Sequence, residues 1–461
     1  MKISIRDIYT MFFFIGWFFF PFNDFEGYSF LGEYKNDAGT YFFLIGFLIL
    51  IIEIIFKKKI SFPYQSYIFK ILIVFLLWCI ITTLLNSSTL LNSYFKHTSG
   101  INRFFRQYIS LTLATVILPF LYWNVIKSWT NKQVLIKIRH ILLLSLIFVF
   151  IYGFIETLIV VFGLGIFRPL LSIFDYFPFL DVNYPPGGRI SSVAYESPAL
   201  GNYLITVSGW MFSYIFTHNK NYKYIPLMMI VFLVFFSGSR TALITVGMQI
   251  SILLFILARM EQYRSNVLKI FKYSITIIVL LLTINGPKII REAEKKIESL
   301  DFKKNLKNNV SNQSRFGMQY ASLQVFKENP IIGVGFGQET YFKRKHYPAW
   351  AVRNNYEFKL RYENKNDRSF PTAYNLYTRL LAETGLIGVF ILFYLIFYSI
   401  KQSLRIWNYS IDETKILGFI LIISFTGLSL NWMQTDFFRQ HGFWLCLMIL
   451  IKMNYTFKKQ I

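Results

Sequence analysis

The stretch PTAYNLYTRLLAETGLIGVFILFYLIFYSI (371–400) contains the change of composition that decides the fold. Its first half contains the asparagine, the arginine, the glutamate and the three threonines, whereas its second half is almost entirely apolar. Apolar runs of about 18 or more residues recur along the chain, and this length is enough to cross the ~30 Å hydrocarbon core of a bilayer. The 461 residues are 54% hydrophobic and only 16% charged, a charged share below that of ordinary soluble domains. We therefore predict an all-α polytopic integral membrane protein.

Twelve transmembrane helices are predicted from the apolar runs. They lie at residues 8–22, 39–56, 67–85, 107–126, 140–163, 198–217, 224–237, 241–258, 270–286, 376–400, 416–432 and 441–456. Helices one to nine fill residues 1–286, and helices ten to twelve fill residues 373–461. Between them, residues 287–372 form a large polar loop, and loops of this length are usually functional or disordered.

Lysines and arginines of the short connections predict the orientation, because cytoplasmic loops carry an excess of both. One set of connections is rich in them, for example at Lys57, Lys58 and Lys59, and the opposite set has far fewer. Both termini are therefore predicted to be cytoplasmic, and the loop 287–372 to lie outside. Attraction to anionic membrane lipids explains the formal net charge of +24 without nucleic-acid binding.

The large loop is predicted to contain short helices. Apolar residues at helical spacing indicate an amphipathic helix on the membrane surface at 288–306. A second helix is predicted from Arg315 to Glu328, with Ser314 as its cap and Asn329-Pro330 as its end. The following residues, 338–370, are basic and aromatic and are predicted to be irregular.

Two common kinds of site are not predicted. The glycines of GVGFG (333–337) are not followed by the Lys-Ser/Thr pair of a nucleotide-binding loop, so they indicate a tight turn. A metal site is not expected, because the acidic residues are dispersed and no two histidines have ligand spacing. The histidines are His97, His140, His218, His346 and His441. No cofactor is predicted.

Arginines on the predicted outer side form the constellation that indicates chemistry. Arg189 follows paired prolines and glycines, Arg240 ends the short turn SGSR (237–240), and Arg315 opens a predicted helix. Arginine binds phosphate through its planar fork and stays charged, and a helix start would add backbone N–H groups to the same anion. Three such side chains would suit a lipid pyrophosphate. The alternative is that each one anchors the protein at the lipid head groups.

Several motifs resemble those of the O-antigen ligase and O-antigen polymerase superfamily. They are SGSRTAL (237–243), RFGMQYASLQVFKENPIIGVGFG (315–337), AYNLYTRLLAETGLIGVFIL (373–392) and, more weakly, RISSVAYESPALGNYL (189–204). The resemblance implies a metal-independent glycosyltransferase of the GT-C kind in the bacterial inner membrane. Its donor and acceptor would be undecaprenyl-pyrophosphate-linked glycans at the periplasmic face of that membrane. The product would serve lipopolysaccharide biosynthesis.

The resemblance also assigns roles to residues. It implies that Arg240 and Arg315 hold the donor pyrophosphate, with Arg189 beside them. In the ligases a histidine stands at the position of Tyr374, next to an asparagine that corresponds to Asn375. Tyrosine is a poor base at neutral pH, although its hydroxyl can still donate or accept a hydrogen bond.

The missing histidine favours a polymerase over a ligase. The base for the acceptor hydroxyl would then be Glu196, with Glu383 as the second candidate. The alternatives are that Glu196 pairs with a neighbouring arginine and that Glu383 orients the turn before Gly385.

Two other functions remain open at this point. A ligase would transfer the finished glycan to lipid A-core, and a flippase would move a lipid-linked oligosaccharide across the bilayer. Flippases usually have short loops, charges within the spans and repeat symmetry between halves. A chain-length regulator is a further candidate partner of a polymerase.

Overall fold

Helices account for most of the chain in the computed structural model, which describes residues 4–184, 188–265, 268, 269, 272 and 309–458. Up to residue 259 the helices are α1 (Ile5–Phe18), α2 (Ala38–Lys57), α3 (Tyr67–Leu85), α4 (Ser87–Asn92), α5 (Gly100–Thr112), α6 (Leu118–Ile126), α7 (Asn131–Val160), α8 (Arg168–Ser172), α9 (Ser197–Phe212), α10 (Tyr214–Thr217), α11 (Ile225–Ser237) and α12 (Arg240–Arg259). From residue 309 onward they are α13 (Val310–Glu328), α14 (Glu339–Lys343), α15 (Ala349–Val352), α16 (Leu376–Tyr409), α17 (Asp412–Asn431) and α18 (His441–Lys458). A short antiparallel hairpin, β1 (Tyr94–Phe95) and β2 (Thr98–Ser99), precedes α5.

Among the residues that the structure describes, seven helical segments are long and apolar enough to cross a membrane. They are α2, α3, the continuous segment Gly100–Ile126, α7, α12, α16 and α17. Four further predicted spans coincide with α1, α9, α11 and α18. The all-helical, polytopic architecture is confirmed in this form, whereas the number twelve stays a prediction. The predicted span 270–286 and surface helix 288–306 lie outside the described residues.

The connections between helices gather in two groups. In one group, Asn183 donates to Asp24 at 2.8 Å, and Asn86 donates to the carbonyl of Gly333 at 3.2 Å. In the other group, Asn131 donates to Thr414 at 2.9 Å and accepts from Lys452 at 2.9 Å. The first group contains the large loop, and the second contains the lysine-rich connections. These bonds join connections that the prediction assigns to the same side, and the orientation itself stays a prediction.

Large apolar side chains face outward along the long helices. Examples are Leu48, Ile55, Leu77, Ile151 and Phe390, each of which is exposed. Water would disfavour so much exposed apolar surface, whereas the hydrocarbon of a bilayer accepts it. The outer surface of the helical bundle therefore fits a lipid environment.

Helix α16 is broken near its beginning, and the large loop fills the break. Gly385 has φ 64° and ψ −167°, so the helical hydrogen bonds are interrupted there. The carbonyl oxygens of Ala382 and Glu383 accept hydrogen bonds from the N–H groups of Val334 and Gly335, each at 2.9 Å. Each bond satisfies a backbone group that would otherwise be costly to bury in a membrane protein.

The glycines at this contact allow two backbones to approach closely. A side chain at Gly333 would overlap the backbone of Glu383, and one at Gly385 would overlap the carbonyl oxygen of Ile331. Gly333, Gly335 and Gly337 all have positive φ, with values of 69°, 100° and 79°. The prediction of a tight turn at GVGFG is therefore confirmed, and the turn is the part of the loop that enters the break in α16.

Helix α13 differs from its prediction at one end. It begins at Val310 rather than Arg315, and its cap is Asn309, whose side chain accepts from the N–H of Asn312 at 3.1 Å. The predicted cap, Ser314, is buried inside the helix and accepts a hydrogen bond from Asn355 at 3.0 Å. The predicted end is correct, because the helix stops at Glu328 before Asn329-Pro330.

Residues 338–370 are more ordered than predicted. They contain α14, α15 and a π-helical turn, Phe358–Tyr362. Lys343 is fully buried and donates to Glu339 at 2.7 Å and to the carbonyl of Pro371 at 3.2 Å. A buried and fully paired ion pair of this kind specifies one arrangement of the chain, because separating its charges is costly.

Replacing Gly385 by alanine should destabilise the fold. The new methyl group would overlap the carbonyl of Ile331, and the left-handed backbone adds strain, together about 3 kcal/mol. Thermal unfolding of the purified protein in detergent measures the loss. Gly247→Ala is the matched control, since a side chain there meets no atom within 4 Å. Equal melting of the two variants would contradict the proposed importance of the contact.

Candidate active site

A cavity of about 400 Å³ opens where α12 and α13 begin. The loop before α9 and the end of α17 complete its wall. The lining residues are Arg189, Ser197, Pro198, Gly238, Ser239, Arg240, Thr241, Ile244, Thr245, Met248, Asn309, Ser311, Asn312, Arg315, Phe316, Gln319, Leu430, Met433 and Gln434. The cavity therefore combines cationic and polar groups with an apolar portion.

The three arginines that the sequence singles out all line this cavity. Arg189 lies in the loop before α9, Arg240 is the first residue of α12, and Arg315 lies in the second turn of α13. Arg189 and Arg240 are exposed and Arg315 is half-buried. Among the residues that the structure describes, none of the three forms an ion pair with a carboxylate. Their positive charge is available to an anion in the cavity.

The SGSR turn brings Arg189 close to Arg240. Gly238 ends α11 with φ 61°, and Ser239 caps α12 by accepting from the N–H of Ala242. A side chain at Gly238 would press on the Arg189 side chain, with a Cβ only 3.1 Å from its Cγ. Glycine is therefore required both for the left-handed turn and for the close approach.

A buried carboxylate holds the loop that carries Arg189. Glu156 of α7 is fully buried and accepts hydrogen bonds from the N–H groups of Ser191 at 3.1 Å and Ser192 at 2.7 Å. Ile190 adds a backbone hydrogen bond to Phe236 at 3.2 Å. These bonds attach the irregular loop to two helices, so the position of Arg189 is set by the helical bundle.

The position of Arg315 in its helix differs from the prediction. Arg315 does not open the helix, because α13 starts five positions earlier. The first turn of α13 instead places Ser311 and Asn312 in the cavity wall. The guanidinium of Arg315 lies over the ring of Tyr374, 5.3 Å from its centre, and Nη1 donates to Gln434 at 3.5 Å. The cation–π contact orients the side chain without neutralising its charge.

Tyr374 and Asn375 lie beside the cavity, behind Arg315 and Gln319. Tyr374 has φ 58°, and its hydroxyl is 2.5 Å from the hydroxyl of Tyr362. Asn375 caps α16 by accepting from the N–H groups of Tyr377 and Thr378. Its amide also donates to Gln319, which lines the cavity, at 3.5 Å.

The two candidate bases have different surroundings. Glu196 is exposed at the start of α9, next to the cavity residue Ser197, and forms no ion pair with an arginine within the described chain. Glu383 is buried away from the cavity lining and pairs with Arg379 at 3.1 Å. Arg379 also donates to Gln107 at 2.6 Å. The surroundings of Glu383 are those of a structural ion pair, which the alternative interpretation anticipated.

Sequence reasoning did not single out Glu156 or Gln434, and it considered Tyr362 only as one of several outer aromatic residues that could stack on sugars. Glu156 carries a visible signal, since it is an acidic residue inside an otherwise apolar span, and such residues are usually functional or paired. Tyr362 and Gln434 carry no such signal, because tyrosines and glutamines are ordinary in loops.

In the described residues, no group of three His, Cys, Asp or Glu side chains is placed to hold a metal ion.

The fold and the site define a polytopic helical membrane protein with a cationic cavity at the end that carries its large loop. The family described as O-antigen ligase matches residues 225–393, from α11 into α16. This match confirms the resemblance seen in the motifs and places this region in the O-antigen ligase and polymerase superfamily. The family indicates a membrane glycosyltransferase-like enzyme of lipopolysaccharide biosynthesis that acts on lipid-linked glycans. No curated protein matches the chain.

Glu156→Ala should loosen the loop that positions Arg189. Two buried N–H groups would lose their acceptor, at about 1–3 kcal/mol for each, so the melting temperature in detergent should fall. Glu413→Ala is the control, because Glu413 forms only a surface ion pair with Lys132 at 3.7 Å. If both variants melt like the wild type, Glu156 does not hold the loop.

Proposed function

We propose that the protein is an O-antigen polymerase, a metal-independent glycosyltransferase of the GT-C kind. It joins undecaprenyl-pyrophosphate-linked repeat units at the periplasmic face of the inner membrane, with both termini in the cytoplasm. The observation that carries the proposal is the convergence of Arg189, Arg240 and Arg315 on one cavity without a carboxylate partner in the described chain.

The chemistry explains why arginines are sufficient. The acceptor hydroxyl forms a bond to the anomeric carbon of the donor, the bond from that carbon to the pyrophosphate oxygen breaks, and the hydroxyl proton passes to a base. Pyrophosphate is already a stable anion, so the main requirement is to balance the negative charge that grows on it. Guanidinium groups at the cavity supply that balance without a metal ion.

The cavity also suits the lipid part of the donor. Ile244 and Met248 follow Arg240 at spacings of four along α12, so an apolar strip continues from the arginine toward the middle of the helix. Leu430 and Met433 face the cavity from the end of α17. A phosphate held at the helix start would leave its polyprenyl chain against this strip.

The acceptor distinguishes a polymerase from a ligase. Tyr374 occupies the position of the ligase histidine, and this favours a second lipid-linked repeat unit as acceptor over lipid A-core. The ligase is the second candidate, because the matching family is described as O-antigen ligase. A flippase is less well supported, since the site arginines lie together at one end of the bundle rather than along a path through it. A chain-length regulator would be a partner of the polymerase only.

Deleting the gene separates the main possibilities. In a strain that makes the O-antigen, loss of a polymerase should leave lipopolysaccharide capped with a single repeat unit. Loss of a ligase should leave lipid A-core without O-antigen, whereas the lipid-linked polymer still accumulates. Gel electrophoresis of the lipopolysaccharide measures the outcome, and an unchanged ladder would refute both assignments.

Arg240→Ala and Arg315→Ala should each lower the polymerisation rate by about 100- to 1,000-fold, the usual loss for a group that stabilises transition-state charge. The assay uses the purified protein and lipid-linked repeat units extracted from the deletion strain, with and without EDTA. Arg353→Ala is the control, because Arg353 is exposed on the same loop but does not line the cavity. Full activity of both variants, or a rate abolished by EDTA, would be incompatible with a metal-independent arginine site.

A further inference from the structure

A chain of hydrogen bonds leads from Tyr374 away from the cavity. The hydroxyl of Tyr362 donates to the carboxylate of Glu357 at 3.4 Å, and the hydroxyls of Tyr362 and Tyr374 are 2.5 Å apart. A hydroxyl has a single hydrogen, so Tyr362 must accept from Tyr374 when it donates to Glu357. The Tyr362–Tyr374 bond can run in either direction, and the direction from Tyr374 to Tyr362 is the one that leaves the Tyr362 hydrogen for Glu357.

This direction leaves the Tyr374 oxygen as an acceptor only. Its hydrogen is engaged with Tyr362, so its remaining lone pair can receive a hydrogen bond from another group. The guanidinium of Arg315 lies over the same tyrosine ring, at 5.3 Å from the centre. With this bond direction, the Tyr374 oxygen can accept a hydrogen bond from a substrate hydroxyl that reaches past Arg315 and Gln319.

The backbone and the surrounding core maintain this arrangement. Tyr374 adopts the left-handed conformation at φ 58°, which is costly for a residue with a large side chain and is often found at functional sites. Tyr362 is buried with Met318, Ala351 and Phe358 in a small core of the large loop. The Tyr374 ring packs against this core, so its hydroxyl stays directed at Tyr362.

Glu357 is placed to end the chain of hydrogen bonds. Its N–H donates to the side chain of Asn355 at 3.0 Å, and buried Asn355 bonds in turn to Ser314 of α13. Glu357 itself is half-buried, so it can exchange a proton with solvent. Burial raises the pKa of Tyr362, and the neighbouring Tyr374 and Glu357 raise this pKa further. The charge of Arg361 opposes the rise but is the smallest of these effects, so Tyr362 keeps its hydrogen.

We infer that Tyr374, Tyr362 and Glu357 form a proton relay that takes the place of the ligase histidine. The inference rests on the proposed function and names the base for the same site. The acceptor hydroxyl gives its proton to Tyr374 as its oxygen bonds to the anomeric carbon. Tyr374 passes its own proton to Tyr362, and Tyr362 passes its own to the Glu357 carboxylate. Glu357 then releases the proton to water, and the pyrophosphate leaves with the bonding electrons.

The relay gives each residue a separate role. In the relay Tyr374 is the residue that contacts the acceptor, whereas Tyr362 and Glu357 act through it. The inference replaces Glu196 and Glu383 as candidate bases. It also answers the objection that a tyrosine is a poor base, because the final proton acceptor is a carboxylate.

The test uses the full-length protein, with Tyr362→Phe and Glu357→Gln as the main variants. Both keep the size of the side chain, and glutamine can still accept the hydrogen bond from Tyr362 but cannot take its proton. We expect kcat to fall by about 100-fold or more in each, as for loss of general-base catalysis. Binding of undecaprenyl pyrophosphate should be unchanged, because the arginines remain. Glu357→Asp should recover part of the rate.

The pH dependence gives a readout that a structural role would not change. The pH–rate profile of Glu357→Gln should differ from that of the wild type, because glutamine cannot take a proton. Arg361 and Arg315 face the relay, and Glu339 and Glu363 face Tyr347 of the same small core. Tyr356→Phe and Glu363→Gln are the controls, because these exposed residues of the same segment lie outside the relay.

The outcomes distinguish the relay from the function on which it rests. Normal kcat and an unchanged pH profile in Glu357→Gln would overturn the relay while leaving the polymerase assignment intact. A wild-type protein that elongates no lipid-linked glycan would refute the proposed function, and the relay with it. Loss of undecaprenyl pyrophosphate binding in Tyr362→Phe would show a structural role and would also overturn the relay.

Discussion

The contact between the GVGFG turn (333–337) and the break in α16 is the constraint on which the site depends. A helix that stops at Gly385 exposes carbonyl groups, and each would cost several kcal/mol if it stayed unsatisfied away from water. Backbone N–H groups of Val334 and Gly335 satisfy two of them, and the indole of Trp78 satisfies that of Thr384 at 2.9 Å. Helix α13 leads directly into this turn, and Tyr374 lies just before α16. The same contact therefore fixes the large loop against the bundle and sets where Arg315 meets Tyr374.

Charge is distributed in two distinct ways at this end of the molecule. Buried ionic groups are paired and hydrogen-bonded, as in Arg379 with Glu383, because an isolated charge in the interior is prohibitively costly. Burial opposes ionisation of Glu33, which lies near Arg379. The charges of Arg103, Arg439 and Arg379 nevertheless hold the pKa of Glu33 below its ordinary value. The cavity arginines lack such partners in the described chain and keep their access to water. Their charge is left for a ligand, and this separates them from the buried arginines that serve the fold.

The sequence predicted some features closely and others not at all. The SGSR turn and the glycine turn were predictable because positive φ is nearly free for glycine and costly for other residues. The start of α13 was not predictable, because Asn309 and Ser314 are both good helix caps. The choice between them depended on a buried hydrogen bond to Ser314 from Asn355, which lies 41 positions further along the chain. Glu383 looked like a possible base, although its partner Arg379 lies four positions earlier in the same helix, a spacing that is visible in the sequence. Hydrogen bonds between distant segments leave no local pattern, so sequence reasoning could not find them.

The sequence by itself determined that the chain is a helical membrane protein with one large polar loop, since the length of apolar runs depends only on the bilayer. It also determined which arginines to consider and which superfamily the motifs resemble. Only the tertiary structure decided that Arg189, Arg240 and Arg315 share a cavity, that Glu156 holds the first of them, and that the Tyr374 hydroxyl is engaged by Tyr362. These relations join residues far apart in the chain. They follow from how the helices pack and from the requirement that buried polar groups find partners.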